Sequence, residues 1–245
     1  DGVYEVLRSY DGKIFALDDH MTRFERSLKE IFITGVDINV IRRRVLKAFQ
    51  AAQIANAKIY FHITRGSAPR NHNWAQSITP NFFLTLSELE DDTLLKTYGV
   101  SVSTYPDLRW KRCDIKSLNL LAHHDAAKKR CFEAILVNEQ GYITEGSSSA
   151  FFSIFENNLI TTPLAKNILP SITRKYVLMA AKAAGLKIEE KSITPQEIKA
   201  ASELFIGVTT KDIIGVVEFD GIQICNGKVG HWTKKLIEEF KKFTS

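Results

Sequence analysis

Between Glu133 and Thr162 four short apolar segments follow one another with only a few residues between them, which confines this part of the chain to hairpins. Glu133-Ala134-Ile135-Leu136-Val137 turns at Asn138-Glu139-Gln140-Gly141 into Tyr142-Ile143-Thr144. Ala150-Phe151-Phe152-Ser153-Ile154 then pairs across Asn157-Asn158 with Leu159-Ile160-Thr161-Thr162. The N-terminal end has the same character. Val3, Glu5 and Leu7 alternate with Tyr4, Val6 and Arg8, and Asp11-Gly12 turns the chain into Lys13-Ile14-Phe15-Ala16-Leu17.

Helical periods interrupt these strands. Met21, Phe24, Leu28 and Ile31 recur at helical spacing behind Asp18 or Asp19 as the capping residue. Arg23 falls off that stripe and, taken alone, reads as a surface arginine. A second helix is expected from about Asn39 to Gln53, burying Val40, Val45, Leu46 and Phe49. Strands are expected over 57–64, 81–86 and 98–104, and a helix over 120–132 with Leu121, Ala126 and Ala127 inward. Pro170-Ser171-Ile172-Thr173-Arg174 opens a helix that runs to Ala184 and stops at Gly185. Leu204 to Val208 is an apolar strand, and the last helix, Gly230 to Phe243, puts Trp232, Leu236, Ile237 and Phe240 on one side. The acidic run Glu88-Leu89-Glu90-Asp91-Asp92 breaks the apolar pattern and places a linker near residues 87–93, dividing 1–88 from 89–245. The length allows one large domain or two modest ones.

Composition excludes several functions. At 44% hydrophobic and 25% charged residues the chain reads as a soluble globular protein, and it has no apolar run long enough to span a bilayer. It begins without the basic and apolar regions of a signal peptide, so the cytoplasm is the expected location. Cys113, Cys131 and Cys225 form no Cys-x-x-Cys pair, which argues against a disulfide framework or a zinc site. His123, His124 and His231 lack metal-ligand companions, and no metal is expected. The net charge of +5 raises nucleic acid as a partner. However, Arg42-Arg43-Arg44 and Lys234-Lys235 lie in helical patterns whose other faces are apolar, and no nucleic-acid motif accompanies them. An excess of cations suits small anionic ligands equally well.

The chemistry-bearing residues cluster around Asp114-Ile115-Lys116-Ser117-Leu118-Asn119 and Thr144-Glu145-Gly146-Ser147-Ser148-Ser149. A lysine amine in a pocket can form a Schiff base with an aldehyde, and a carboxylate can keep a heterocyclic nitrogen protonated. The helix start at Pro170–Arg174 suits a phosphate, because its first N–H groups have no partner within the helix. The hydroxyls of Thr209-Thr210, at the end of an apolar strand, are a second candidate for the same anion. Arg65-Gly66-Ser67-Ala68-Pro69-Arg70-Asn71-His72-Asn73 is either an anion trap or a polar loop with incidental charge.

Taken in order, Gly2-Val3-Tyr4-Glu5-Val6, Thr64-Arg65-Gly66, Arg70-x-His72, Arg112 to Asn119, Thr144 to Ser149, Ile172-Thr173-Arg174 and Gly227-Lys228-Val229-Gly230 resemble the D-amino acid aminotransferases. These belong to the fold-type IV pyridoxal phosphate enzymes, alongside branched-chain aminotransferases and aminodeoxychorismate lyases. The resemblance implies a two-domain α+β fold, with a sandwich-like N-terminal α/β domain and a C-terminal α/β pseudo-barrel. It implies pyridoxal 5′-phosphate held by Lys116, which also moves the α-proton, with Glu145 on the pyridinium nitrogen and Arg23, Ile172, Thr173 and Thr209 at the phosphate. Tyr4, Arg70 and His72 match positions that hold the substrate carboxylate, the last two reaching over from the neighbouring subunit of a homodimer. D-Alanine or D-glutamate would then give its amino group to a 2-oxo acid such as 2-oxoglutarate or pyruvate.

A branched-chain L-amino acid aminotransferase or an aminodeoxychorismate lyase would use the same Lys116 and Glu145, and Arg70-x-His72 separates the D-specific reading from them. A basic binding protein that kept this fold and lost its chemistry is the alternative outside enzymes. Two departures stand out. The segment that precedes the Gly-Val-Tyr-Glu strand in the family is missing here, and Val208 stands where the D-enzymes have a serine near the phosphate.

Overall fold

The computed structural model describes residues 1–73, 78–128 and 131–244. They form two compact units: Asp1–Leu89 with Ile115–Asn119, and Glu90–Asp114 with Leu120–Ser245.

The first unit contains β1 (Gly2–Tyr10), β2 (Lys13–Ile14), α1 (Leu17–Glu30), α2 (Ile38–Ala52), β3 (Ala57–Thr64) and β4 (Asn81–Glu88). Its antiparallel sheet has the order β2-β1-β3-β4, with Tyr4 opposite His62 and His62 opposite Phe83. Alternation along β1 sends Val3, Glu5 and Leu7 into the core beneath α1 and α2, where Phe24 meets Phe61 edge to face at 5.0 Å. The other face of the sheet carries Tyr4, Tyr60, His62 and Phe83.

Asp18 and Asp19 do not cap α1. They lie inside its first turn, behind Ala16 in a left-handed conformation (φ 50°), because the β1–β2 hairpin runs almost directly into the helix. There they favour the helix dipole, and Asp18 pairs with Arg42 at 3.0 Å. Helix α2 takes Asp37 as its cap, and buries Ile41 with Val45 and Phe49 while Val40 and Leu46 stay half-buried.

The second unit contains α3 (Thr93–Tyr98), β5 (Val100–Pro106), α4 (Leu121–Ala126), β6 (Glu133–Val137), β7 (Ile143–Gly146), β8 (Ala150–Phe155), β9 (Asn158–Thr161), α5 (Ile172–Ala184), β10 (Lys187–Glu190), α6 (Pro195–Ile198), β11 (Glu203–Val208), β12 (Asp212–Phe219), β13 (Ile222–Gln223) and α7 (His231–Lys241). Its sheet runs β10-β9-β8-β11-β12-β5-β6-β7, with β13 added to β12. The hairpins β6–β7 and β8–β9 are the expected ones. The β12–β5 and β5–β6 pairs are parallel, which makes the sheet mixed.

Tyr98 ends a short helix and does not begin a strand. The helix expected over 120–132 stops after six residues, with Leu121 and Ala127 exposed, and Lys129 and Arg130 lie outside the described residues. So short a helix has no room for a buried stripe before β6 begins at Glu133. Among the described residues no helix is long and apolar enough to cross a membrane.

Candidate active site

Lys116 belongs to the first unit although it stands more than twenty residues beyond the end of that unit's continuous stretch. The segment Ile115–Asn119 lies along the edge of β1. Tyr4 N–H donates to the Lys116 carbonyl at 3.0 Å, Leu118 N–H to Gly2 O at 3.0 Å, and Val3 bridges Ser117. The approach requires glycine at position 2, since a Cβ there would come within 2.8 Å of Leu118 Cδ1 and 2.4 Å of the Ile63 carbonyl. Lys116 N–H donates to Ser27 Oγ on α1 at 3.3 Å, and Ile115 joins the first core. The half-buried Lys116 side chain then rests with Nζ 4.4 Å from the centre of the Tyr4 ring.

Behind this surface is a buried ionic group that the sequence reading did not contain. Glu5 points into the core because of its place in the β1 alternation, and a lone carboxylate there would cost several kcal/mol. Helix α1 answers with two residues three apart. Arg23 donates from Nε and Nη2 to the two Glu5 oxygens at 2.8 and 2.7 Å, and His20 Nδ1 lies 2.7 Å from Oε2. Arg23 is therefore not a surface residue: it is only 6% exposed, its position off the apolar stripe being the one that meets Glu5.

Burial alone would raise the Glu5 pKa, but Arg23 and His20 outweigh it and hold the carboxyl down at about 2. Burial lowers the His20 pKa, Glu5 opposes that, and the charges of Arg23 and Lys116 add to the depression. Both folded values lie below the unfolded ones, so stability is complete above pH 6.5 and is lost on acidification. His20 contributes to the loss below 6.5, and Glu5 from 4.5 down to about 2. Urea midpoints measured from neutral pH downward should fall in this order, and His20→Gln should remove the first part of the decline.

Arg70 and His72 lie on an exposed loop of the same unit. Across the helix-free face, Tyr60 OH and His62 Nδ1 are 2.9 Å apart.

In the second unit Glu145 is a buried β7 residue. Its Oε1 accepts from Arg109 Nη1 at 2.5 Å and from Leu169 N–H at 3.0 Å. The serines after it are ordered from below by Glu133, which accepts from Ser147 Oγ, Ser148 N–H and Ser148 Oγ. The Ser149 hydroxyl is buried without a hydrogen-bond partner among the described residues. Ser171 caps α5 by accepting from Arg174 N–H, and the helix starts with the buried pair Ile172 and Thr173. Gly207 on β11 brings that start close: a Cβ there would lie 3.3 Å from Thr173 Cγ2. Val208 packs against the second core, and half-buried Thr209 follows it at the strand end. The structure thus groups Lys116 with Tyr4 and the Arg23 network in one unit, and the α5 start with the end of β11 in the other. Glu145 stands with Arg109 in this second unit, and Arg70 and His72 lie on their exposed loop in the first.

Residues 2–219 match the class IV amino-transferases, and the chain belongs to that family. Among its relatives, the D-alanine aminotransferase of Bacillus licheniformis is 37% identical over 244 residues, spanning 96% of this chain and 85% of the relative. The D-alanine aminotransferase of Staphylococcus haemolyticus is 36% identical over 251 residues, spanning 99% and 88%. Of the solved structures, the branched-chain amino acid aminotransferase of Escherichia coli superposes with a TM-score of 0.91 at 22% identity, covering 100% of this chain and 86% of that one. The branched-chain aminotransferase of Thermoproteus uzoniensis, solved with norvaline, gives 0.87 at 27% identity and covers 98% and 84%. The fold is thus that of the fold-type IV enzymes, in which the two-domain α+β expectation holds.

Proposed function

We propose that this aminotransferase uses pyridoxal 5′-phosphate to move the amino group of a D-amino acid, D-alanine or D-glutamate, to a 2-oxo acid. The observation that carries the reading is the Lys116 amine fixed over the Tyr4 ring, in a chain 37% identical to a D-alanine aminotransferase. The donor set suits the cofactor. There is a lysine for its aldehyde, a buried carboxylate for its ring nitrogen, the first amides of α5 with Thr173 and Thr209 for its phosphate, and a buried partnerless hydroxyl on Ser149 nearby in sequence to Glu145. When bound, the cofactor supplies an electron sink for the substrate α-carbon.

The rest falls to the chain. Lys116 takes the α-proton and returns it, and its rigid attachment to β1 sets the side from which it approaches. Arg23 meets the phosphate with a guanidinium already oriented by Glu5. Ile172 lends its backbone N–H at the start of α5. Tyr4, with Arg70 and His72 supplied by a second copy in a homodimer, holds the substrate carboxylate. That hold fixes which enantiomer presents its hydrogen to Lys116. The homodimer works in the cytoplasm, residues 1–88 act as its small domain, and 89–245 act as its cofactor-binding domain, which lends the strip Ile115–Asn119 to the first unit.

Arg70→Ala tests the D-specific reading against the branched-chain and lyase readings. KM for D-alanine should rise by about tenfold or more while cofactor affinity changes little. Unchanged D-alanine kinetics, or faster turnover of L-leucine than of D-alanine by the parent enzyme, would reject the assignment.

A further inference from the structure

Asp107, just beyond the end of β5, is a buried carboxylate with no part in the reaction as described so far. Its Oδ1 accepts from Arg109 Nε at 2.9 Å and from Arg109 N–H at 3.2 Å, and its Oδ2 from Arg109 Nη2 at 2.8 Å and Thr144 Oγ1 at 2.8 Å. The same guanidinium reaches Glu145 through Nη1 and the Asn167 carbonyl through Nη2 at 3.2 Å. All three charged side chains are only 6–8% exposed. Burial raises the Asp107 pKa, but the Arg109 and Thr144 contacts bring it below its ordinary value. Burial likewise lowers that of Arg109, and its carboxylate partners turn it upward, so both groups are ionised. One cation is therefore enclosed by two carboxylates.

A guanidinium paired with Glu145 alone would neutralise it and weaken its hold on a second cation. Asp107 changes that balance. It occupies the Nε and Nη2 edge of Arg109 and adds a negative charge, so the group as a whole carries one. We propose that Asp107 is a positioning residue, which through Arg109 fixes Glu145 and leaves the group with the single negative charge that complements a protonated ring nitrogen. The inference rests on Glu145 as the partner of that nitrogen, and extends the machinery to two residues upstream of it.

The test uses the full chain loaded with pyridoxal 5′-phosphate labelled with ¹⁵N in its ring. In the parent enzyme the ¹⁵N resonance should stay in the protonated range from about pH 6 to 9, whereas in Asp107→Asn the nitrogen should titrate within that window. The kcat for D-alanine should fall about tenfold while KM stays within about twofold, and Asp107→Glu should restore both the resonance and the rate. A purely structural Asp107 would alter melting and leave the resonance in place, and that result overturns the proposal. Glu145→Gln serves as the control. If it shifts the resonance and Asp107→Asn does not, Glu145 keeps its role and only the inference fails. If Glu145→Gln also leaves the nitrogen protonated, the reading of Glu145 itself falls, and the inference with it. Should Asp107→Asn not fold, Thr144→Val removes one Asp107 contact at smaller structural cost. It should shift the resonance in the same direction, and no shift overturns the proposal.

Discussion

Replacing Lys116 with alanine should lower the kcat for D-alanine by on the order of 10⁴-fold or more, because in the proposed function the variant lacks both the amine that carries the cofactor and the base that moves the α-proton. The fold survives the change. The backbone of residue 116, which bonds to Tyr4 and Ser27, is retained, and the side chain that is removed is half-buried over an aromatic ring and outside the first core. Far-UV circular dichroism and the urea midpoint should therefore match the parent while D-alanine consumption ceases. A variant that turned over D-alanine at even a hundredth of the parent rate would show that another group abstracts the proton.

The second large effect is on stability. Arg23→Met strands the Glu5 carboxylate in the core with His20 as its remaining partner on α1, and should destabilise the first unit by about 3–5 kcal/mol. Adding Glu5→Gln to the same chain should recover most of that loss, since the expense lies in an unpaired buried charge more than in the lost ion pair. Chemical denaturation of the two single variants and the double variant supplies the cycle. Equal and additive losses would mean that Glu5 and Arg23 do not act as a pair. Phosphate affinity separates the ion pair of Arg23 from its proposed place at the phosphate: the double variant should regain stability and still bind pyridoxal 5′-phosphate weakly.

Much of this was legible in the residues. Alternation and turn residues located β1, the β6–β7 and β8–β9 hairpins and the α5 boundaries, because each is specified by neighbours within a few positions. The proposed site residues were named from ordered motifs and from the chemistry a lysine, a carboxylate and a helix start can perform, and they stand as proposals. What escaped was set by distant partners. Arg23 looked exposed because its burial depends on Glu5, eighteen residues earlier on another element. The signal was present in Glu5 itself, a carboxylate on the apolar side of an alternating strand. Asp107 and Arg109 offered no such signal, since they sit in an irregular stretch and acquire their meaning only when Thr144 and Glu145 arrive from β7. Strand β12 and helix α3 were passed over for a related reason. The first is apolar on both faces and lies inside a sheet where β5, from far back in the sequence, flanks it on one side, and the second has two turns at most and no buried residue.

The attachment of Ile115–Asn119 to β1 bears on how the protein is made. A ribosome delivers residues 1–89 well before this segment, so during synthesis the Gly2 carbonyl and Tyr4 N–H wait for the Ile115–Asn119 strip that bonds to them in the folded unit. The nascent first unit is a receptor whose ligand is its own later sequence. The strip that completes the edge also carries Lys116, so closure of the sheet and arrival of the amine proposed for catalysis are a single event in the life of the chain.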